Sequence, residues 1–395
     1  YLLYYKEGDT FSYYECSLTF RNLLATDVTD FFHVYMAPGS WEAKSYFTMQ
    51  TGEPLWFMFS NDQTRFVMKL IVPFIVLGGG SYLISTVLIS IFTYGGLWSL
   101  YRVFVSHFPD STRNLAFGVL FMPSVLCWGS GMLKDSFTLA ATCYFMAATN
   151  QLITRRGSRF WNILLLIGSG WIVASVKAYI LLILLPGTMV WYFYDRIRRI
   201  PNRLLRWMAV PLIYTFIISA SVLMLNLLGD KLGRFNLQNM FETAAITQKD
   251  LKQDYYDGNS FDIGEFEPTP SGVLSKFPPA TIAGLYRPFI LESQNVAMML
   301  SGLENLFILG LTLYVLVMLR PGAVFRFISD SPIMLYSLIF SILFAFMIGL
   351  TTSNFGALVR FKIPLIPLYM GTFMVLYSQI GRPVLRRRQD NLIAG

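Results

Sequence analysis

The chain has 395 residues, of which 54% are hydrophobic, 16% aromatic and only 14% charged, with a formal net charge of +8. Soluble globular chains carry about 25% charged residues. The deficit, with a mean hydropathy of +0.51 and several apolar runs of roughly 20 residues, excludes an ordinary soluble domain and points to a polytopic membrane protein. The positive balance is not a nucleic-acid footprint, because the Lys and Arg sit mostly in short connections where they set topology. No nucleic-acid partner is expected. Cys16, Cys127 and Cys143 are scattered, and His33 lies far from His107, so neither a disulfide framework nor a metal site is expected.

In chain order, Tyr1 to Tyr5 reads as the tail of an apolar helix, which implies a preceding transmembrane segment. Residues 1–65 form an outer-face N-terminal segment, in which Asp27 to Tyr35 reads as a short helix on the membrane surface. Residues 66–228 form a first transmembrane bundle. Phe66–Leu77 is interfacial or re-entrant and stops at Gly78-Gly79-Gly80. Spans are expected at Leu83–Val105, Leu115–Cys127, Phe137–Leu152, Trp161–Ala174, Tyr179–Tyr194 and Leu205–Leu228. Residues 229–295 are too long and polar for an ordinary connection and are assigned to one large outer-face loop. Residues 296–395 add Val296–Leu319, Ile333–Leu350 and Ile363–Ile380, then a basic cytoplasmic tail. The expected fold class is all-α, a polytopic integral membrane bundle of about nine to ten transmembrane helices. No internal repeat is visible, which disfavours a transporter of duplicated halves.

Four basic turns orient the chain: Arg155, Arg156 and Arg159; Arg196, Arg198, Arg199, Arg203 and Arg206; Arg320 with Arg326; and Arg382 with Arg386 to Arg388. With all four on the cytoplasmic face, the spans alternate without contradiction. The other face then carries Asp9, Lys134, Asp135, Lys177, Arg287, Arg360 and Lys362 close to the membrane plane. Ionisable groups there are costly and count as functional candidates. Cations at that boundary could hold a lipid-linked phosphate, and a carboxylate could take the proton of an acceptor hydroxyl. A bland role stands beside each. Asp9 could be a solvated loop residue. Lys134 and Asp135 could pair with each other, or Asp135 could favour the helix dipole. Lys177 could snorkel to headgroups, Arg287 could anchor the loop, and Arg360 could contact headgroups. Glu304 lies within its helix and needs a partner or water, and Glu292 has no evident place. Trp56 and Tyr286 are minor candidates for stacking on a sugar.

The arrangement resembles the GT-C superfamily of membrane glycosyltransferases and, in part, bacterial polysaccharide polymerases. The resemblance rests on overall hydropathy and three motifs: Gly8-Asp9-Thr10, the block from Pro123 to Asp135, and the block from Asn354 to Pro364. It implies a GT-C-like bundle with outer juxtamembrane helices. The essential carboxylate of the first outer loop falls on Asp9, although Thr10 stands where paired acidic residues are usual. On this resemblance Asp9 is the acceptor base, and Asp135 orients Lys134 or assists the acceptor. Lys134, Lys177, Arg287, Arg360 and Lys362 neutralise the carrier phosphate. The implied donor is a polyprenyl-(pyro)phosphate-linked sugar, and the acceptor is a glycan, a lipid or a protein. Membrane lipids are the other partners. No cofactor is required, though the acidic loop leaves room for a divalent cation. The implied location is a bacterial inner (plasma) membrane, with the active site on the periplasmic or extracellular face. Three rivals remain open: an oligosaccharide polymerase or ligase, a flippase or transporter of an anionic substrate, and a non-catalytic scaffold.

Overall fold

A computed structural model describes residues 8–202, 204–205, 208–209, 211–213, 215–216, 219, 260–264, 267 and 269–380. Among these residues the structure is helical, with no β-strand beyond an isolated bridge between Ser260 and Asn354. The chain forms two compact units: residues 1–100 with 125–181, and residues 101–124 with 182–395.

The first unit starts with α1 (Asp9–Thr26), which ends where Asp27 turns extended and caps α2 (Val28–Met36) through the amide nitrogens of Thr29 and Asp30. Two short turns follow, α3 (Trp41–Lys44), capped by Ser40, and α4 (Trp56–Phe59). Asn61 caps α5 (Asp62–Leu77), which Gly79 and Gly80 terminate at φ 62° and 83°. The predicted interfacial piece at Phe66–Leu77 is the greater part of this helix. One face of α5, with Val67, Met68, Ile71 and Ile75, packs on Tyr13, Phe20 and Leu23 of α1. Burying such side chains stabilises by about 1.5–3 kcal/mol each.

Helix α6 (Tyr82–His107) contributes to both units. The predicted span Leu115–Cys127 is not one helix. It divides into α7 (Thr112–Leu120) and α8 (Pro123–Gly129), because Pro123 cannot donate a backbone bond to a continuing helix. The predicted span Phe137–Leu152 lies in α9 (Lys134–Ile153), which is buried at almost every position from Asp135 to Asn150. Its Thr138, Thr142, Thr149 and Asn150 suit a helix packed within protein rather than against lipid. Close packing is achieved at Gly96 of α6, where an added Cβ would stand 2.9 Å from the Ala140 carbonyl oxygen of α9. Trp161–Ala174 and Tyr179–Tyr194, expected as two short spans, belong to one helical run, α10 (Arg159–Arg198), broken only at Lys177.

The second unit differs most from the predicted loop 229–295. Residues 270–286 fold as α11 (Pro270–Ser275) and α12 (Phe277–Tyr286). Helix α12 packs against α15 (Pro332–Thr351), which follows α13 (Val296–Leu319) and α14 (Pro321–Ser329). Ala280 and Gly284 face Ala345 and Gly349; a Cβ on Gly349 would lie 1.9 Å from the Ala280 carbonyl oxygen, and one on Gly284 2.1 Å from that of Ala345. Small residues spaced by four let two backbones approach in this way. Within that stretch the Pro and Gly that elsewhere punctuate irregular chain start a helix and seat it. The chain closes with α16 (Phe355–Phe361) and α17 (Ile366–Tyr377), bent by 67° at Lys362–Leu365. The predicted span Ile363–Ile380 thus holds the helix Ile366–Tyr377, which begins after Pro364 and carries Pro367 in its first turn, where a missing N–H costs little.

Among the described residues four helices are long and apolar enough to cross a membrane: Tyr82–His107, Arg159–Arg198, Met298–Leu319 and Pro332–Thr351. The bent pair α16–α17 would make a fifth. A crossing needs about 20 residues. Leu83, Ile84, Val87 and Ile91 on α6, and Leu303, Leu306, Leu313 and Val317 on α13, are exposed. The structure is compatible with an integral membrane protein. Most of Leu205–Leu228, the acidic stretch 229–259, the tail from residue 381 and the start of the chain lie outside the described residues.

Candidate functional site

Two groups of ionisable side chains stand out, one in each unit. In the first, Leu133 is extended and α9 begins at Lys134, which puts Asp135 in the first turn, where the helix dipole favours a carboxylate. Asp135 is fully buried and its Oδ1 accepts a hydrogen bond from Lys177 Nζ at 2.7 Å. Lys177 is 7% exposed and is the residue at which α10 leaves helical geometry (φ −145°, ψ 78°). The expected snorkelling of Lys177 is thus corrected: its ammonium turns inward to a carboxylate, because a buried charge requires a partner. Asp135 thus has a partner in Lys177, 42 residues away. Lys134 is half-buried at the start of α9, and its carbonyl accepts from Thr138 Oγ1.

Asp9 stands exposed at the start of α1, behind Gly8 at φ 127°. A carboxylate in that first turn favours the helix dipole whatever else it does. Trp56, considered for sugar stacking, is stacked on Trp41 with ring centroids 3.9 Å apart, and Lys44 lies over both rings. Behind them, Lys69 donates to the Ala37 carbonyl oxygen and lies over the Tyr35 ring. Burial, aided by the Arg65 charge, lowers the Lys69 pKa to about 8.

The second unit gathers more of the predicted residues. Arg287 follows α12 and extends its guanidinium over Phe261 and Phe289, at 5.2 and 5.8 Å from the ring centroids. Its Nη2 lies 3.0 Å from Glu292 Oε1, with each side chain 25% exposed. Lys362 is 1% exposed at the α16–α17 bend. Its ammonium donates to the Arg287 carbonyl oxygen at 3.2 Å and to Asn305 Oδ1. Both acceptors are neutral oxygens of the protein. Asn305 Nδ2 donates to the Pro288 carbonyl oxygen at 3.0 Å. The neighbouring Glu304 has the partner its helix position demanded: its carboxylate accepts from Ser124 N at 2.7 Å and from Ser124 Oγ at 2.5 Å. Arg360 sits half-buried on α16, two residues before Lys362. A further buried chain links Tyr286, Tyr369 and Thr312 through hydroxyls 2.8 and 2.9 Å apart.

Two of the predicted phosphate-binding residues, Arg287 and Lys362, thus meet in the second unit, and Arg360 lies two residues before Lys362 on α16. Asp135 and Lys177 pair in the first. Asn305 and the partnership of Glu292 with Arg287 escaped the sequence reading. The signal for Asn305 was present as two consecutive polar residues, Glu304 and Asn305, within an apolar stretch. Among the described residues no group of three or more His, Cys, Asp or Glu is disposed to hold a metal ion. No protein-family model, curated protein or solved structure matches the chain.

Proposed function

We propose that this protein is a membrane-embedded glycosyltransferase with a GT-C-like bundle of about nine to ten spans, short and broken helices included. It moves a sugar from a polyprenyl-(pyro)phosphate donor to an acceptor on the non-cytoplasmic face. The observation that carries the reading is the polar cluster of the second unit: Arg287, Glu292, Glu304, Asn305 and Lys362, with Arg360 on the adjoining helix, amid apolar helices. Ionisable groups in such surroundings are expensive to keep and mark substrate sites. In the transfer, the acceptor oxygen bonds to the anomeric carbon while the bond from that carbon to the phosphate oxygen breaks. The electron pair leaves on the phosphate, where Arg287 and Arg360 stabilise it, and Glu292 takes the hydroxyl proton. An oligosaccharide polymerase or ligase would use the same chemistry on a longer donor.

Native mass spectrometry of the protein purified from membranes tests the reading. A co-purifying polyprenyl phosphate or pyrophosphate, lost in Arg360→Ala, supports it, and the mass of the attached glycan separates single transfer from polymerisation. Ordinary phospholipids alone, unchanged by the substitution, would overturn it. The breaks at Lys177 and at the 67° bend favour a second reading, a transporter or flippase, because broken helices also build midplane substrate sites. Sugar transfer by detergent-purified protein, with no gradient present, would exclude that alternative.

A further inference from the structure

We infer that Arg287 and its aromatic slot form an anion site whose internal occupant is Glu292, and that the phosphate of a lipid-linked ligand competes with this carboxylate for the guanidinium. The inference deepens the glycosyl-transfer reading and rests on it only for the identity of the ligand.

The first support is the setting of the guanidinium. Phe261 and Phe289 lie against it, and Phe261 is itself stacked on Phe355. Contact with aromatic rings leaves the in-plane N–H groups of an arginine available, and these form a fork suited to a phosphate. Among the described residues this fork meets one carboxylate, through Nη2. The second support is the hold on the backbone that carries it. Lys362 and Asn305, each 1% exposed, donate to the successive carbonyls of residues 287 and 288. Burying an ammonium for this purpose is costly, and it fixes the base of the Arg287 side chain from both sides. Lys362 and Asn305 are therefore positioning residues. The third support lies in how Glu292 is held. Its Oε2 accepts from the Phe289 amide nitrogen at 2.8 Å, so the carboxylate keeps a partner when Oε1 gives up the arginine. At 25% exposure on each side the pair is within reach of an incoming ligand. Displacement would leave Glu292 beside the bound phosphate with an oxygen open to the proton of an acceptor hydroxyl.

The test is calorimetric titration of the full chain in lipid nanodiscs with inorganic pyrophosphate, then with farnesyl pyrophosphate. Removing the competing charge in Glu292→Gln should tighten pyrophosphate binding about fivefold. Loss of the fork in Arg287→Lys should weaken it about tenfold. Lys362→Met should also weaken it, on the wild-type and Glu292→Gln backgrounds alike, in samples of matched helicity. Farnesyl pyrophosphate should bind more tightly than the inorganic ion, as a lipid-linked ligand requires. Equal affinity of the two probes would overturn the lipid-linked assignment and leave a site for free phosphate. Unchanged affinity in Glu292→Gln, or undiminished binding by Arg287→Lys, would overturn the competition itself. Sugar transfer is not measured in this titration. Its absence elsewhere, with tightening in Glu292→Gln, would count against the transferase and not against the slot.

Discussion

The Asp135–Lys177 pair of the first unit and the Arg287–Glu292 pair of the second use the same attraction in opposite surroundings. The first is 0% and 7% exposed, the second 25% on both sides. In the dry interior desolvation costs several kcal/mol per ion, and the opposite charge at 2.7 Å offsets much of it. At the quarter-exposed site less desolvation is at stake, and the pair is worth less, toward the about 0–1 kcal/mol of exposed pairs. A structural pair and an exchangeable pair thus differ in burial rather than in residue type. The first suits a fixed joint at the α10 break; the second suits a place where a ligand anion can enter.

The sharpest way to break this comparison is a mutant cycle at the buried pair. Asp135→Ala should cost about 3–5 kcal/mol by stranding the Lys177 ammonium, whereas Asp135→Leu with Lys177→Met should be near neutral or stabilising. Thermal unfolding of the purified protein reads both. Equal losses in the single and double variants would mean that the pair itself stabilises. Next comes the frame of the second site. Gly349→Ala puts a methyl group against the Ala280 carbonyl, and the forced separation of α12 from α15 should cost about 1–3 kcal/mol in the same measurement. Arg287→Ala should shift stability by no more than about 1 kcal/mol while abolishing pyrophosphate binding; a large fall in melting temperature would make this pair structural as well.

The smallest effect is a pH dependence in the first unit. Burial lowers the Lys69 pKa from 10.5 to about 8, with the Arg65 charge adding to the shift and the Asp62 charge opposing it. Above the folded value the native chain binds fewer protons than the unfolded one, so stability rises with pH from about 8 toward 10.5. Melting temperature measured between about pH 7 and pH 9, below the range in which tyrosines titrate, should rise in the wild type. In Lys69→Met the rise should be absent. A wild-type profile that falls across this window would contradict the burial of that amine.

Elements with one strong local pattern were legible before any fold was known. Val296–Leu319 and Ile333–Leu350 are long apolar runs bounded by polar or turn residues, and they fold with almost the same limits. Asp27 opens the stretch read as a short surface helix and does cap it. Other local signals carried two meanings. Pro and Gly between residues 268 and 288 read as irregular chain, although Pro also suits a first turn and Gly also suits close packing. The apolar run from Phe137 to Leu152 reads as a span, yet its threonines and asparagine mark burial within protein.

What the sequence by itself determined is the helical class, the main apolar runs and the short list of costly charges. Each follows from composition and from periodicity along the chain. Only the tertiary structure decided which charge meets which: Lys177 with Asp135 across 42 positions, Ser124 with Glu304 across 180, and Lys362 with Asn305 across 57. The reason is physical. An apolar segment is recognised from its own residues, but a buried charge is stabilised by whatever the fold brings to it, and sequence distance places no limit on that partner.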